Sequence, residues 1–104
     1  MTDDAKGYWL VTAVITDPDA FMGYTSVAGP VIAEAGGRPL ARGDVFEVVE
    51  GSSAGRPFFI EFPTFEAAKA CFHSPGYQAA VALRQGAATF DIVIAKGVAP
   101  AAQG

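Results

Sequence analysis

Charge is what this chain has least of. Only 17% of its 104 residues are charged, seven Lys or Arg against eleven Asp or Glu, for a formal net charge of −4. An ordinary soluble domain carries about 25%. No cluster of lysines or arginines occurs, which argues against a phosphate-tracking surface and hence against a nucleic-acid partner. The single cysteine, Cys71, excludes an internal disulfide. One histidine, His73, and one cysteine are too few for a dedicated zinc site, so no metal and no cofactor is expected. Long apolar runs are missing as well. The longest uncharged stretch, Ala20 to Ala33, is broken by Gly, Thr, Ser and Pro and is too short to span a bilayer. The opening MTDDAKG is acidic and lacks the apolar core of a secretory signal. The expectation is a cytoplasmic protein that stays off membranes.

What is present is apolar surface. Hydrophobic residues make up 51% of the chain. A chain of this length is one domain, and it buries only about 60–70% of its unfolded surface. Few charges are left to cover the remainder, so a partner is expected to cover part of it, which points to a homo-oligomer.

Residues 1–7 and 97–104 read as tails around a single domain at 8–96. YWLVTAVI, Tyr8 to Ile15, is rich in β-branched and aromatic residues and predicts a strand. A helix follows, with Asp17 as N-cap, Pro18 in its first turn and Gly36-Gly37 to stop it. Phe21, Tyr24, Ala28, Val31 and Ala35 fall on one face of it. Pro30 interrupts the pattern, so a bend is expected near Ala28–Pro30. RPLARGDVFEVVEG predicts a second strand, its better half Asp44 to Glu50, with Gly43 as a bulge or kink, and Pro57 to Phe62 a third, antiparallel to it. Thr64 caps a short helix with Phe65, Ala68 and Phe72 inward. Ser74-Pro75 restarts a helix through Gln85, stopped by Gly86. Thr89 to Lys96 is the last strand.

The order β-α-β-β-α-β, with its second helix split, is the α+β ferredoxin-like arrangement: an antiparallel sheet with helices on one face. Such a sheet should show polar residues on its open face. Here Tyr8, Leu10 and Val14 oppose Trp9, Val11, Ala13 and Ile15, and Phe90, Ile92 and Ile94 oppose Asp91, Val93 and Ala95. Both faces are largely apolar. One helix layer covers one of them, and a second copy of the sheet would cover the other.

Few residues can carry chemistry. Cys71 and His73 lie two apart on a helix and do not face each other, which disfavours a nucleophile pair. His73 reads as the polar end of a helix and Cys71 as a filler. Pairing the 45–50 and 57–62 strands sets Phe46 opposite Glu61, which places Glu61 with Phe46, Val48 and Phe59. A carboxylate in that company is a general base or ligand anchor, or else one half of a structural ion pair. Arg84 shares a helix face with Tyr77, Ala80 and Val81. It either pairs with a carboxylate, Glu61 or a ligand's, or neutralises the helix C-terminus. Arg42 stands beside Gly43, where its direction is open. Tyr24 and Tyr77 read as amphipathic core residues with a hydroxyl at a wet edge. GDVFEVVEGSSAG lacks the spacing of a phosphate loop.

These residues carry a resemblance. YW at 8–9, DPDAF, GGRPLARGD at 36–44, EVVEG at 47–51, IEFPTFEAAKA at 60–70, SPGYQAAVALRQGAA at 74–88 and the closing DIVIAKG resemble the domain of unknown function 1330 family over residues 8 to 98. The resemblance implies a dimeric α/β barrel, two ferredoxin-like subunits with their sheets face to face. It marks Arg42, Glu61, Ser74, Tyr77 and Arg84 as matching positions, without catalytic roles. The wider superfamily includes cofactor-free monooxygenases, muconolactone isomerases, haem enzymes and stress-related binding proteins, and fold alone does not select among them. A haem would require His73 as axial ligand, which disfavours that branch. The leading expectation is a homodimer with a small-molecule pocket lined by Tyr24, Arg42, Glu61, Tyr77 and Arg84. The alternative is a cofactor-independent enzyme acting on a small anionic or phenolic molecule. Glu61 or His73 would then serve as base, with Glu61 and an arginine converging on a cavity.

Overall fold

Tyr8 to Ile15 forms the expected strand, and Gly7 opens it. In the computed structural model, which describes residues 5–53 and 55–99, the elements are β1 (Gly7–Ile15), α1 (Pro18–Glu34), β2 (Arg38–Ala41), β3 (Arg56–Phe62), α2 (Phe65–His73), α3 (Pro75–Leu83) and β4 (Ala88–Lys96). The outer parts of both expected tails, residues 1–4 and 100–104, lie outside the described residues. The inner part of the first is built into the domain: Ala5 is buried, and the Lys6 carbonyl accepts from the Gly97 amide at 2.7 Å.

The helices start where capping chemistry allows. The Asp17 carboxylate accepts from the Ala20 amide at 3.1 Å and the Thr64 hydroxyl from the Ala67 amide at 3.0 Å. Ser74 serves two helices. Its hydroxyl donates to the Cys71 carbonyl at 2.7 Å, closing α2, and accepts from the Tyr77 amide at 3.2 Å, opening α3. α1 runs as one helix across Pro30. Pro30 and Ser26, whose carbonyl loses its donor to the proline, are both exposed, so water can serve that carbonyl. α1 ends at Gly36, whose φ of +86° is the left-handed value that closes a helix. α3 stops at Leu83, with Arg84 as its cap, two residues before the expected end.

The four strands lie in the order β2-β3-β1-β4, each pair antiparallel. Register fixes the faces. Trp9 lies between Ile60 and Ile94, and Val11 between Phe58 and Ile92. These six pack with Tyr24, Ala28, Ala68, Cys71, Tyr77 and Ala80 of the helices in one core. On the open face Leu10 lies between Phe59 and Val93, and Tyr8 between Glu61 and Ala95. The two-sided apolar pattern of β1 and β4 is therefore real.

The expected second strand forms only in its first part, and its better half is corrected. β2 is Arg38–Ala41, and Asp44 to Glu50 is an exposed irregular segment in which Val45 and Val49 are 96% and 85% exposed. Gly43 explains the departure. At φ +70° it turns the chain away from β3, and a Cβ there would meet the Pro57 carbonyl oxygen at 2.7 Å. Pro57 itself lacks the N–H that a longer ladder would need. The register Phe46 opposite Glu61 falls with the strand: Glu61 pairs with Arg38 on one side and Tyr8 on the other.

Candidate functional site

α1 lines the space above the sheet with Phe21, Tyr24 and Ile32 and with the small residues Thr25, Ala28, Gly29 and Ala33, and does not fill it. The result is a cavity of about 480 Å³ between α1 and the core face of the sheet. Buried Trp9, Val11, Tyr24, Ala28 and Tyr77 form its floor, with the rings of Phe21, Phe58 and Phe90 as walls. Exposed Gly29, Ala33, Pro39 and Arg42 mark its mouth. Its volume falls in the range of small-molecule sites, about 300–1,000 Å³, and its lining is as apolar as theirs.

The polar groups concentrate at the floor. The Tyr24 and Tyr77 hydroxyls are 2.6 Å apart, and their rings meet edge to face at 6.1 Å. Burial, and then the neighbouring Tyr77, push the Tyr24 phenol well above its ordinary pKa. Arg84 stands behind this pair, its guanidinium carbon 4.0 Å from the Phe90 ring centre and 5.4 Å from that of Tyr24. The arginine opposes the rise in the Tyr24 pKa but is the smaller effect. Trp9 is anchored beside them, its indole N–H donating to the Ala68 carbonyl at 2.9 Å.

The sequence-predicted residues divide between two places. Tyr24, Tyr77 and Arg42 line the cavity, and Arg84 touches two rings that do. Glu61 is on the opposite face of the sheet. It binds Arg38 Nε at 3.1 Å and accepts from the Tyr8 hydroxyl at 3.1 Å. Those two hydrogen bonds, the arginine's first, hold its carboxyl below the usual range, so the cation answering Glu61 is Arg38 and not Arg84. His73 is exposed at the end of α2, its ring against Phe72, and is not among the cavity's lining residues. Glu61 and an arginine do not converge on the cavity. Ser74 is spent on capping, and Cys71 is a buried free thiol in the core. Among the described residues, no three His, Cys, Asp or Glu side chains are grouped so that they could hold a metal ion.

Two partners escaped the sequence reading. Arg38 is one: pairing the 45–50 half of the second strand with 57–62 puts Phe46 opposite Glu61, where the structure has Arg38. Trp9 was on the correct face by alternation, but nothing local marks it as the floor of a cavity.

Together these features define a ferredoxin-like α+β fold with a cavity between helix and sheet. The chain belongs to the domain of unknown function 1330 (DUF1330) family, which matches residues 6–98. Its fold is similar to that of the RPA0582 protein of unknown function from Rhodopseudomonas palustris, at 21% identity and a TM-score of 0.72 over 93% of this chain and 85% of that one. It is also similar to SnoaB, a cofactor-independent oxygenase from Streptomyces nogalater, at 12% identity and a TM-score of 0.55 over 96% and 98% of the two chains. A conserved protein of unknown function from Bacteroides thetaiotaomicron, described as a possible oxidoreductase, gives 15% identity and a TM-score of 0.56 over 89% and 98%. These likenesses concern the fold. No curated protein matches the chain.

Proposed function

We propose that the protein binds a small organic molecule in the cavity under α1 and works as a homodimer closed through the open face of its sheet. The cavity carries the first half. Its floor is rigid, apolar and aromatic, and its polar groups are few and clustered. The second half rests on Leu10, Val14, Phe59 and Val93, large apolar side chains that are 40%, 39%, 41% and 58% exposed on one flat surface. Subunit association would cover them, and the Arg38–Glu61 pair would stand in the same interface. No helix of the described residues is long and apolar enough to cross a membrane. A cytoplasmic location goes with the reading, since a single free thiol is typical of a reducing compartment.

The binding reading is favoured over catalysis because the cavity holds no placed base: Glu61 and His73 are elsewhere, and the Tyr24 phenol is held protonated. Trp9 is the chain's only tryptophan and lies on the cavity floor, so its emission reports occupancy. Toluene or benzyl alcohol should shift that emission saturably. Gly29→Phe places a ring at the mouth, where an added Cβ meets nothing within 4 Å, and should abolish the response. An emission unmoved by either solute sinks the cavity reading. Sedimentation should give twice the 10.7 kDa chain mass, and Val93→Glu should return it to one chain. An unsubstituted chain sedimenting as a monomer removes the dimer.

A further inference from the structure

Arg84 is left unsatisfied by the fold. Its Nε is buried and has no hydrogen-bond partner. Among the described residues the ion pairs are Arg38 with Glu61 and Arg56 with Asp44, and neither involves Arg84. A guanidinium does not lose its proton, so it cannot escape burial by neutralisation as a lysine can. Arg84 stacks on Phe90 and lies against Tyr24, toward whose hydroxyl it can donate, while its Nε–H is left without an acceptor.

The same end of the cavity has a second surplus of donors. Tyr24 and Tyr77 share one proton across their 2.6 Å contact, so one hydroxyl proton remains to be given. Among the described residues that line the cavity there is no Asp or Glu, and the one charged residue is Arg42 at the mouth. The floor therefore presents a free O–H with a cation close behind it, beneath walls made of aromatic rings.

We propose that the ligand is a small aromatic carboxylate, with its ring among Trp9, Phe21, Phe58 and Phe90 and its carboxylate at the tyrosine hydroxyls, facing the charge of Arg84. This rests on reading the cavity as a small-molecule site. A carboxylate brings one negative charge to one uncompensated guanidinium and supplies the missing acceptor. A phosphate dianion would bring more charge than a single half-buried arginine answers, in a site with little other polarity to solvate it. A neutral carbonyl would meet the hydrogen-bond need but leave the charge. Tyr24 and Tyr77 touch the ligand, and Arg84 selects for its charge from behind them.

The test compares benzoate, benzyl alcohol and benzylamine on the full chain by Trp9 fluorescence and calorimetry. A hydrogen bond to a charged group is worth enough that benzoate should bind about ten- to a hundredfold tighter than benzyl alcohol, with benzylamine weakest. Arg84→Met should bring benzoate and benzyl alcohol to within about twofold of each other while benzyl alcohol still binds, and Arg42→Met should leave the preference in place. The proposal is overturned if benzoate binds no tighter than benzyl alcohol to the unsubstituted chain, a comparison that needs no variant to fold. It is equally overturned if folded Arg84→Met keeps the preference. If all three probes fail to bind, the small-molecule reading fails first and the carboxylate with it.

Discussion

Replacing Tyr77 by Phe removes one oxygen atom from the middle of the fold and leaves its partner stranded. Tyr77 is fully buried and Tyr24 is 6% exposed, and each hydroxyl has the other as its hydrogen-bond partner. A buried hydroxyl that loses its partner costs about 1–3 kcal/mol, whereas removing both partners together is nearly neutral. Each single change, Tyr77→Phe or Tyr24→Phe, should therefore destabilise by about 1–3 kcal/mol, and the double variant should be no less stable than the worse single. The two singles should also differ. Arg84 lies close enough to the Tyr24 hydroxyl to oppose the rise in its pKa, so a stranded Tyr24 oxygen can still accept from the guanidinium. A stranded Tyr77 has no such neighbour, so Tyr24→Phe should be the costlier change. Urea unfolding of the four proteins at one fixed concentration, followed by Trp9 emission, reads this directly. With a slope of about 1–3 kcal/mol per molar urea, each single should lower the midpoint by about 1 M. Losses that add to within about 0.3–0.5 kcal/mol in the double variant would show the hydroxyls to be independent and refute the argument.

Other expectations follow from particular contacts. Glu61 has its folded pKa lowered by Arg38 and Tyr8, so the stability it contributes is full above the ordinary carboxylate range and is lost as pH falls through the lowered value. Glu61→Gln should flatten that acid limb of the stability profile, and an unchanged limb would assign it to other groups. Ser74→Ala removes the N-cap of α3 and should cost about 1 kcal/mol by urea denaturation, with Ser74→Asp recovering part of it. Cys71 is 3% exposed, and burial raises its thiol pKa, so a disulfide reagent should label it slowly in the native protein and fast in denaturant. Fast native labelling would mean that α2 opens readily.

Most of the fold was legible because its signals are local. Asp17-Pro18, Thr64 and Ser74-Pro75 name the helix starts through capping chemistry, and alternation in β1 and β4 assigned each residue to a face before any partner strand was known. The second strand was legible only in part. Asp44 to Glu50 has strand-forming residues but no partner within the subunit, whereas Arg38–Ala41 contains a proline and owes its place to β3. Pairing is non-local, and a propensity without a neighbour decides little. The error carried straight into the site, since Glu61 owes its environment to whichever residue stands opposite it. Helical spacing put Arg84 on the face of Tyr77, but in the fold it lies against Tyr24 and Phe90. The convergence of Tyr77 and Arg84 with Tyr24 of α1 depends on how two helices dock, which no spacing within one helix encodes.

β1 and β4 lie side by side along their whole length, from Gly7 opposite Lys96 to Ile15 opposite Ala88. The first of the described strands in chain order is thus paired by the last. Until β4 is made, Trp9 and Val11 lack Ile94 and Ile92 on one flank, Tyr24 lacks the ring of Phe90, and Arg84 lacks the surface on which it stacks. Folding of this domain must then await synthesis of β4, and a nascent protein halted before it should remain accessible to proteases and chaperones. A cavity built on that seam cannot form in a product that lacks β4.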